Sequence, residues 1–219
     1  MKNKIFVVSI VCVITIMIAS SAFGWRSVRT GQKNFERAWS AYLFKRPEKA
    51  NEYFVKAADA FSSALAEVPP SRTTMFASNL AMAGISLYQA GSYKEAIDAM
   101  NKAKSKDRRL WEAYLYSGLS YAHLNEKQKA IESFSAYMNS SPTQAILSTA
   151  VSKQINILEQ EGGSLEAAII AIDTAAFSQY TNNYLLGTPD QQGRCSGVYW
   201  WRYNKGPCSE RNDSQYIRK

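Results

Sequence analysis

The sequence contains few of the residue types on which catalytic and metal sites depend. Among its 219 residues there are three cysteines and one histidine, His123. One histidine cannot form the usual metal cluster, and no two cysteines stand in Cys-x-x-Cys spacing. The chain also lacks a phosphate-binding glycine loop and a Gly-x-Ser-x-Gly turn. These absences predict a protein that is not an enzyme and that holds no metal or other cofactor.

Positive charge is present, but it is not concentrated on one stretch. The formal net charge is +8, of which Lys2 and Lys4 contribute two. The one short basic stretch, 102–109, fits a solvated helix end and loop. Nucleic-acid-binding proteins usually carry a denser basic patch along one face, so no nucleic-acid partner is predicted.

The N-terminus has the features of a secretory signal peptide. Two lysines precede an apolar run over 5–19, and small residues follow up to Ala22. Cleavage after Ala22 would remove residues 1–22. The alternative is an uncleaved anchor, in which residues 5–25 contact the membrane and just cross it. Both alternatives place the remainder outside the cytoplasm, in the periplasm or on the outer face of the inner membrane.

Two neighbouring segments, 77–110 and 111–142, repeat one pattern at an offset of 34 residues. A fixed period of this length is typical of a helical repeat architecture. Each segment predicts two amphipathic helices with a turn between them, at Gly91 in the first and at Asn125 in the second. Small residues recur where two helices must approach closely. The equivalent pairs are Leu80 and Tyr114, Gly84 and Gly118, Leu87 and Tyr121, Ala96 and Ala130, Met100 and Phe134, and Ala103 and Tyr137.

This pattern resembles the tetratricopeptide repeat. The second segment carries the residues of that family's pattern at Tyr114, Gly118, Tyr121, Ala130, Phe134 and Pro142, and the first carries it more loosely. The stretch 34–65 is interpreted as a degenerate first hairpin with Trp39 as a core aromatic, and 144–177 as a fourth. The resemblance therefore implies an all-α fold, a right-handed superhelix of three to four helical hairpins over residues 26–179.

The last forty residues differ from the repeats. Residues 180–219 are rich in glycine and in aromatic side chains, which include Tyr199, Trp200 and Trp201. This composition is too aromatic for a plain disordered tail. We predict an irregular C-terminal extension that packs on the superhelix or on a partner.

The resemblance also implies a partner-binding groove. In this family the concave face is formed mainly by the first helix of each hairpin. The face is apolar with tyrosines at its rim, which suits an apolar or aromatic segment of a partner protein or peptide. We expect such a segment, or the chain's own Tyr199-Trp200-Trp201, to cover it, because a bare apolar surface is unfavourable. The alternative is that the groove residues are ordinary inter-helix core. The groove residues are Ser78, Ala81, Met82, Ile85, Tyr88, Glu112, Leu115, Tyr116, Leu119 and His123.

The predicted function is a non-catalytic protein–protein interaction scaffold, exported to the periplasm or cell envelope, in an assembly or secretion-related complex. This setting rests on the analogy with tetratricopeptide proteins. A permanently membrane-anchored structural subunit of a membrane complex is the first alternative. An enzyme built on a helical solenoid is the second, although the sequence offers no cluster of titratable groups for it.

A disulfide is predicted between Cys195 and Cys208, the two cysteines that follow the N-terminal apolar run. Export implies an oxidising compartment, in which such a pair forms a bridge. The alternative is two free or intermolecularly paired thiols. In the chain-entropy model a loop of this size contributes about 3 kcal/mol to stability. Thiol labelling of the denatured, unreduced protein checks this prediction, because two reactive thiols per chain would contradict it.

Overall fold

The computed structural model describes residues 26–140 and 144–186, and every regular element in this part of the chain is an α-helix. The all-α prediction is confirmed. None of the helices in these two ranges combines the length with the apolar character that a membrane crossing requires. The helices of the described ranges are α1 (26–43), α2 (Pro47–Leu65), α3 (Ala77–Gln89), α4 (Tyr93–Lys106), α5 (Trp111–His123), α6 (Lys127–Asn139), α7 (Ala145–Glu159) and α8 (Leu165–Leu186).

Successive helices pack as hairpins that stack on one another. Helix α3 packs on α4 and α5 packs on α6, while α4 joins the two hairpins by packing on α5. Helix α3 also contacts α5 directly, so the first helices of neighbouring hairpins lie next to each other. The first hairpin is closed by aromatic contacts, since the Phe35 and Phe54 rings lie 6.1 Å apart. This stacking confirms the helical-hairpin repeat fold.

Two glycines allow the helices of each central hairpin to approach closely. A Cβ atom on Gly84 would lie 2.5 Å from Met100 Cε, and one on Gly118 would lie 2.5 Å from Phe134 Cδ1. Both distances are well below van der Waals contact. The two glycines hold equivalent places in the repeat, so the same constraint on backbone separation operates in both hairpins.

The turns inside the central hairpins use equivalent residues in the left-handed backbone region. Gly91 has φ +80° between α3 and α4, and Asn125 has φ +60° between α5 and α6. Glycine and asparagine adopt this conformation more readily than other residues. The sequence had indicated a turn at each of these positions, and the structure has one there.

Helix α8 is longer than the sequence pattern indicated. A helix ending at Phe177 was expected, with an irregular extension from 180, but α8 continues to Leu186. The predicted boundary between repeats and extension therefore falls inside a helix. Several predictions fall outside the described residues: the signal peptide or anchor at the N-terminus, the disulfide between Cys195 and Cys208, and the aromatic stretch Tyr199-Trp200-Trp201.

Candidate functional site on the concave face

The ten residues of the predicted groove all lie on α3 and α5, the first helices of the two central hairpins. Eight of them are buried, and Ser78 and His123 are half-buried. The apolar members, such as Ile85 and Leu119, belong to the continuous hydrophobic core. These apolar side chains therefore pack as inter-helix core, which is the alternative role stated for them above.

Helix α8 of the same chain lies against this face. The Tyr88 hydroxyl donates a hydrogen bond to Asp173 Oδ2 at 2.8 Å. The hydroxyl oxygens of Tyr116 and Tyr180 are 3.5 Å apart. Tyr88 and Tyr116 come from α3 and α5, so two predicted groove residues contact α8. The cover that we expected from a partner or from residues 199–201 is supplied here by a helix of the C-terminal hairpin.

The first hairpin completes the surface that holds α8. The Tyr180 ring meets Trp39 of α1 edge to face, with ring centroids 4.6 Å apart. Phe177 meets Tyr42 of α1 in the same way at 5.2 Å. On the α5 side, Trp111 stacks on Tyr180 at 6.2 Å. Trp39 is thus a core aromatic, as predicted, but part of the core that it joins is the docked α8.

The same helix is also fixed to α7. Gln179 Oε1 accepts a hydrogen bond from the Ile146 backbone N–H at 2.8 Å, at the start of α7. This side chain satisfies a backbone donor that the helix itself leaves without a partner. Helix α8 therefore completes the last hairpin with one side and covers the concave face with another.

The residues of α8 that enter the groove were not identified from the sequence. Asp173, Phe177 and Tyr180 occupy positions i, i+4 and i+7, which lie along one side of a helix. The sequence feature that could have identified them is Asp173, a single carboxylate within an apolar stretch of alanine and isoleucine. A charged residue in such a stretch is seldom buried without a specific polar partner.

Asp173 places an ionisable carboxyl group in the interface between α8 and the groove. Burial raises the pKa of its carboxyl from 3.8 to about 6, and the hydrogen bond from Tyr88 acts in the opposite direction. Burial likewise raises the pKa of Tyr88 and of Tyr116 above their ordinary values. These tyrosines stay protonated at neutral pH, so their hydroxyls remain available as hydrogen-bond donors.

His123 lies at the edge of the same cluster. Its ring stacks on Tyr93 with centroids 4.2 Å apart, and its Nε2 lies 3.5 Å from the Tyr88 hydroxyl oxygen. Burial lowers the pKa of this histidine. The stacked His123 ring contacts the Tyr88 side chain and orients it. Within residues 26–140 and 144–186, no three His, Cys, Asp or Glu side chains come together to hold a metal ion.

We expect Asp173→Asn to stabilise the protein at neutral pH. The folded-state pKa of about 6 lies above the unfolded value, so the folded state binds the Asp173 proton more tightly. The stability linked to this group is fully present below pH 4 and is lost as the pH rises through 6. Asparagine has no proton to lose, so the variant should gain about 2 kcal/mol at pH 7.5 and almost nothing at pH 4.

Urea denaturation of both proteins at the two pH values measures this difference. His123 contributes with the opposite sign, because its depressed pKa makes protonation below about pH 6.5 unfavourable in the folded state. That contribution is common to both proteins and cancels in the comparison. An equal effect of the substitution at both pH values would contradict the prediction.

Comparison with known proteins agrees with the geometry of the second central hairpin. Residues 112–143 match the family model described as tetratricopeptide repeat. The match covers nearly all of α5 and α6, and α3 and α4 repeat the same glycine contact and the same turn. Residues 112–143 therefore form a tetratricopeptide repeat. No match was found among curated proteins or among solved structures. Repeats of this family typically mediate protein–protein interaction.

Proposed function

We propose that the chain is a non-catalytic interaction scaffold, exported to the cell envelope, whose concave groove binds an amphipathic helix of a partner protein. The observation that carries this proposal is the position of α8, where Asp173 accepts the hydrogen bond of Tyr88 on the concave face. A surface that holds a helix of its own chain has the shape and the donors that a partner helix needs.

The contacts of α8 indicate what a partner helix would carry. The groove offers aromatic rings from α1 and α5 together with the neutral tyrosine hydroxyls of Tyr88 and Tyr116. On α8, Asp173 accepts a hydrogen bond from a hydroxyl, while Phe177 and Tyr180 pack against aromatic rings. A matching partner helix would present a hydrogen-bond acceptor, such as a carboxyl or amide oxygen, followed four and seven residues later by aromatic side chains.

The cellular setting in this proposal rests on the N-terminal sequence. Export with cleavage after Ala22 would release the scaffold into the periplasm. Retention of residues 5–25 would make it a permanently anchored subunit of a membrane complex, which is the second candidate function. The intact mass of protein purified from its native envelope separates the two, because a chain that begins at Phe23 indicates cleavage and the full chain indicates an anchor.

The groove is tested with a fluorescein-labelled peptide of residues 164–186 as the probe. In the wild-type protein α8 competes within the same chain, at an effective concentration in the millimolar range. Phe177→Ala removes the ring that meets Tyr42 and so weakens the resident helix. We expect the full-length Phe177→Ala protein to bind the peptide about tenfold more tightly than the wild type, measured by fluorescence anisotropy.

Two controls make the test specific to the groove. Ile170→Ala changes a side chain of α8 that is 61% exposed, so it should leave peptide binding at the wild-type level. A peptide in which Asp173 is replaced by Lys should bind neither protein, because a cation would oppose the Tyr88 hydroxyl donor. Equal binding of the unmodified peptide to the wild-type, Phe177→Ala and Ile170→Ala proteins would show that α8 is a fixed part of the core.

A further inference from the structure

A second concave feature lies on the first hairpin, away from the groove. It is a cleft of about 320 Å³ between the end of α1 and the start of α2. Every residue that lines it belongs to this hairpin, so none of the other helices α3 to α8 contributes to it. The side chains that define its chemistry are Glu36, Arg37, Phe44, Arg46, Lys49 and Tyr53.

The lining of this cleft is predominantly cationic. The lining contains three cations, Arg37, Arg46 and Lys49, and one acid, Glu36. None of the three cations lies within ion-pair distance of an acid of the described residues. Arg46 and Lys49 are exposed. Unpaired cations on two helices around one cleft produce a local positive potential, which attracts anionic groups and strengthens when water is excluded.

Aromatic side chains form the apolar part of the same cleft. The Arg37 guanidinium carbon lies 5.6 Å from the centroid of the Tyr53 ring, a cation–π contact that holds the charge over the cleft wall. Phe44 is 54% exposed at the end of α1, and it is one of the few large apolar side chains exposed in the described ranges. Helix α2 begins beside these residues at Pro47, so the positive end of its dipole adds to the local field.

We propose that this cleft binds an acidic segment of a partner protein, independently of the concave groove. Carboxylates of the segment contact Arg37, Arg46 and Lys49, and an apolar side chain of the segment packs against Phe44 and Tyr53. The combination of arginines with exposed aromatic surface is typical of protein-binding sites. A bilayer surface fits less well, because the cations and aromatic rings line a concave cleft between two helices, whereas a bilayer surface is broad and flat.

The probe for this site is a fluorescein-labelled decapeptide of Glu and Asp with one central Phe, titrated with the full-length protein at low and at physiological salt. We expect saturable binding that weakens as salt is added. Arg46→Glu/Lys49→Glu should weaken it by about tenfold or more, and Arg46→Gln/Lys49→Gln by an intermediate factor. Phe44→Ser should also weaken binding, with the salt dependence unchanged.

The matched control reverses two charges elsewhere. Lys94→Glu/Lys102→Glu changes the net charge by the same amount at two exposed positions of α4, and it should bind the decapeptide like the wild type. If both double variants lose decapeptide binding equally, the effect comes from overall charge and the proposal is overturned. Absence of peptide binding by the wild type would also overturn it. Vesicles of phosphatidylcholine and phosphatidylglycerol form the last arm. Loss of vesicle binding in Arg46→Glu/Lys49→Glu, with peptide binding unchanged, would assign the cleft to a membrane surface instead.

Discussion

Gly118→Val is expected to lower the free energy of unfolding by about 3 kcal/mol, a large loss for one substitution. A Cβ atom at this position would lie 2.5 Å from two atoms of the Phe134 ring, and valine adds two methyl groups beyond it. Phe134 is fully buried, and its flat ring cannot bend out of the way. The helices α5 and α6 must therefore separate, which weakens the centre of the repeat array.

Urea denaturation followed by circular dichroism measures this loss, and three companion variants test its cause. Gly84→Val should cost less, because the opposing Met100 side chain is unbranched and can move aside. Ala167→Val adds bulk at an exposed helix position and should change stability by less than about 0.5 kcal/mol. Gly118→Val combined with Phe134→Ala should cost less than the sum of the two single losses, because valine fills part of the space left by the ring. Strict additivity would contradict the proposed clash.

Tyr180→Ala is expected to destabilise the docking of α8 by about 3 kcal/mol. The substitution removes a buried ring that contacts Trp39 at 4.6 Å and Trp111 at 6.2 Å. It also removes the hydroxyl that lies 3.5 Å from the Tyr116 hydroxyl. These contacts join α8 to two different hairpins, so their loss opens the concave face while the stacked hairpins α3 to α6 keep their own packing.

Hydrogen exchange resolved along the chain is the measurement that locates this effect. Amide exchange in α8 should accelerate about a hundredfold, whereas α3 to α6 should retain wild-type protection. Tyr180→Phe is the matched control, because it keeps the ring and removes only the hydroxyl, so we expect a loss below about 1 kcal/mol. If Tyr180→Ala accelerates exchange equally in α8 and in α3 to α6, then α8 unfolds only together with the repeats. In that case the groove could not open separately.

The substitutions at Gly118 and Tyr180 test two different kinds of contact. Gly118 acts within one hairpin, between helices that adjoin in sequence, and its role follows from the spacing of the repeat. Tyr180 acts between the C-terminal helix and helices far away in the chain. The first kind of contact builds the scaffold, and the second determines whether its concave face is accessible to a partner.

The sequence by itself determined the hairpins and their turns. The 34-residue period placed Gly84 and Gly118 at equivalent positions, and both are sites of close helix approach in the structure. It also placed Gly91 and Asn125 in the turns, where both adopt positive φ. These features could be predicted because they depend on residues that lie within one repeat of each other, where helical periodicity and turn preferences operate.

The candidate site could be predicted from the sequence only in part. Tyr88 and Tyr116 were assigned to the concave face, and both contact α8 there. Ile85 and Leu119, assigned to the same face, belong to the hydrophobic core that the repeats share. Helical periodicity identifies the buried side of a helix, but it does not distinguish burial against a neighbouring hairpin from burial under a docked helix.

Only the tertiary structure decided what covers the groove. The hydrogen bond between Tyr88 and Asp173 joins residues 85 positions apart, and no local signal specifies such a pair. Helix α8 is apolar on several sides, so its sequence did not indicate which neighbour each side would meet. Its position depends on contacts with α1, α3 and α5, which lie far from α8 along the chain. These contacts join hairpins that are separated along the chain, so they exist only once the whole array has folded.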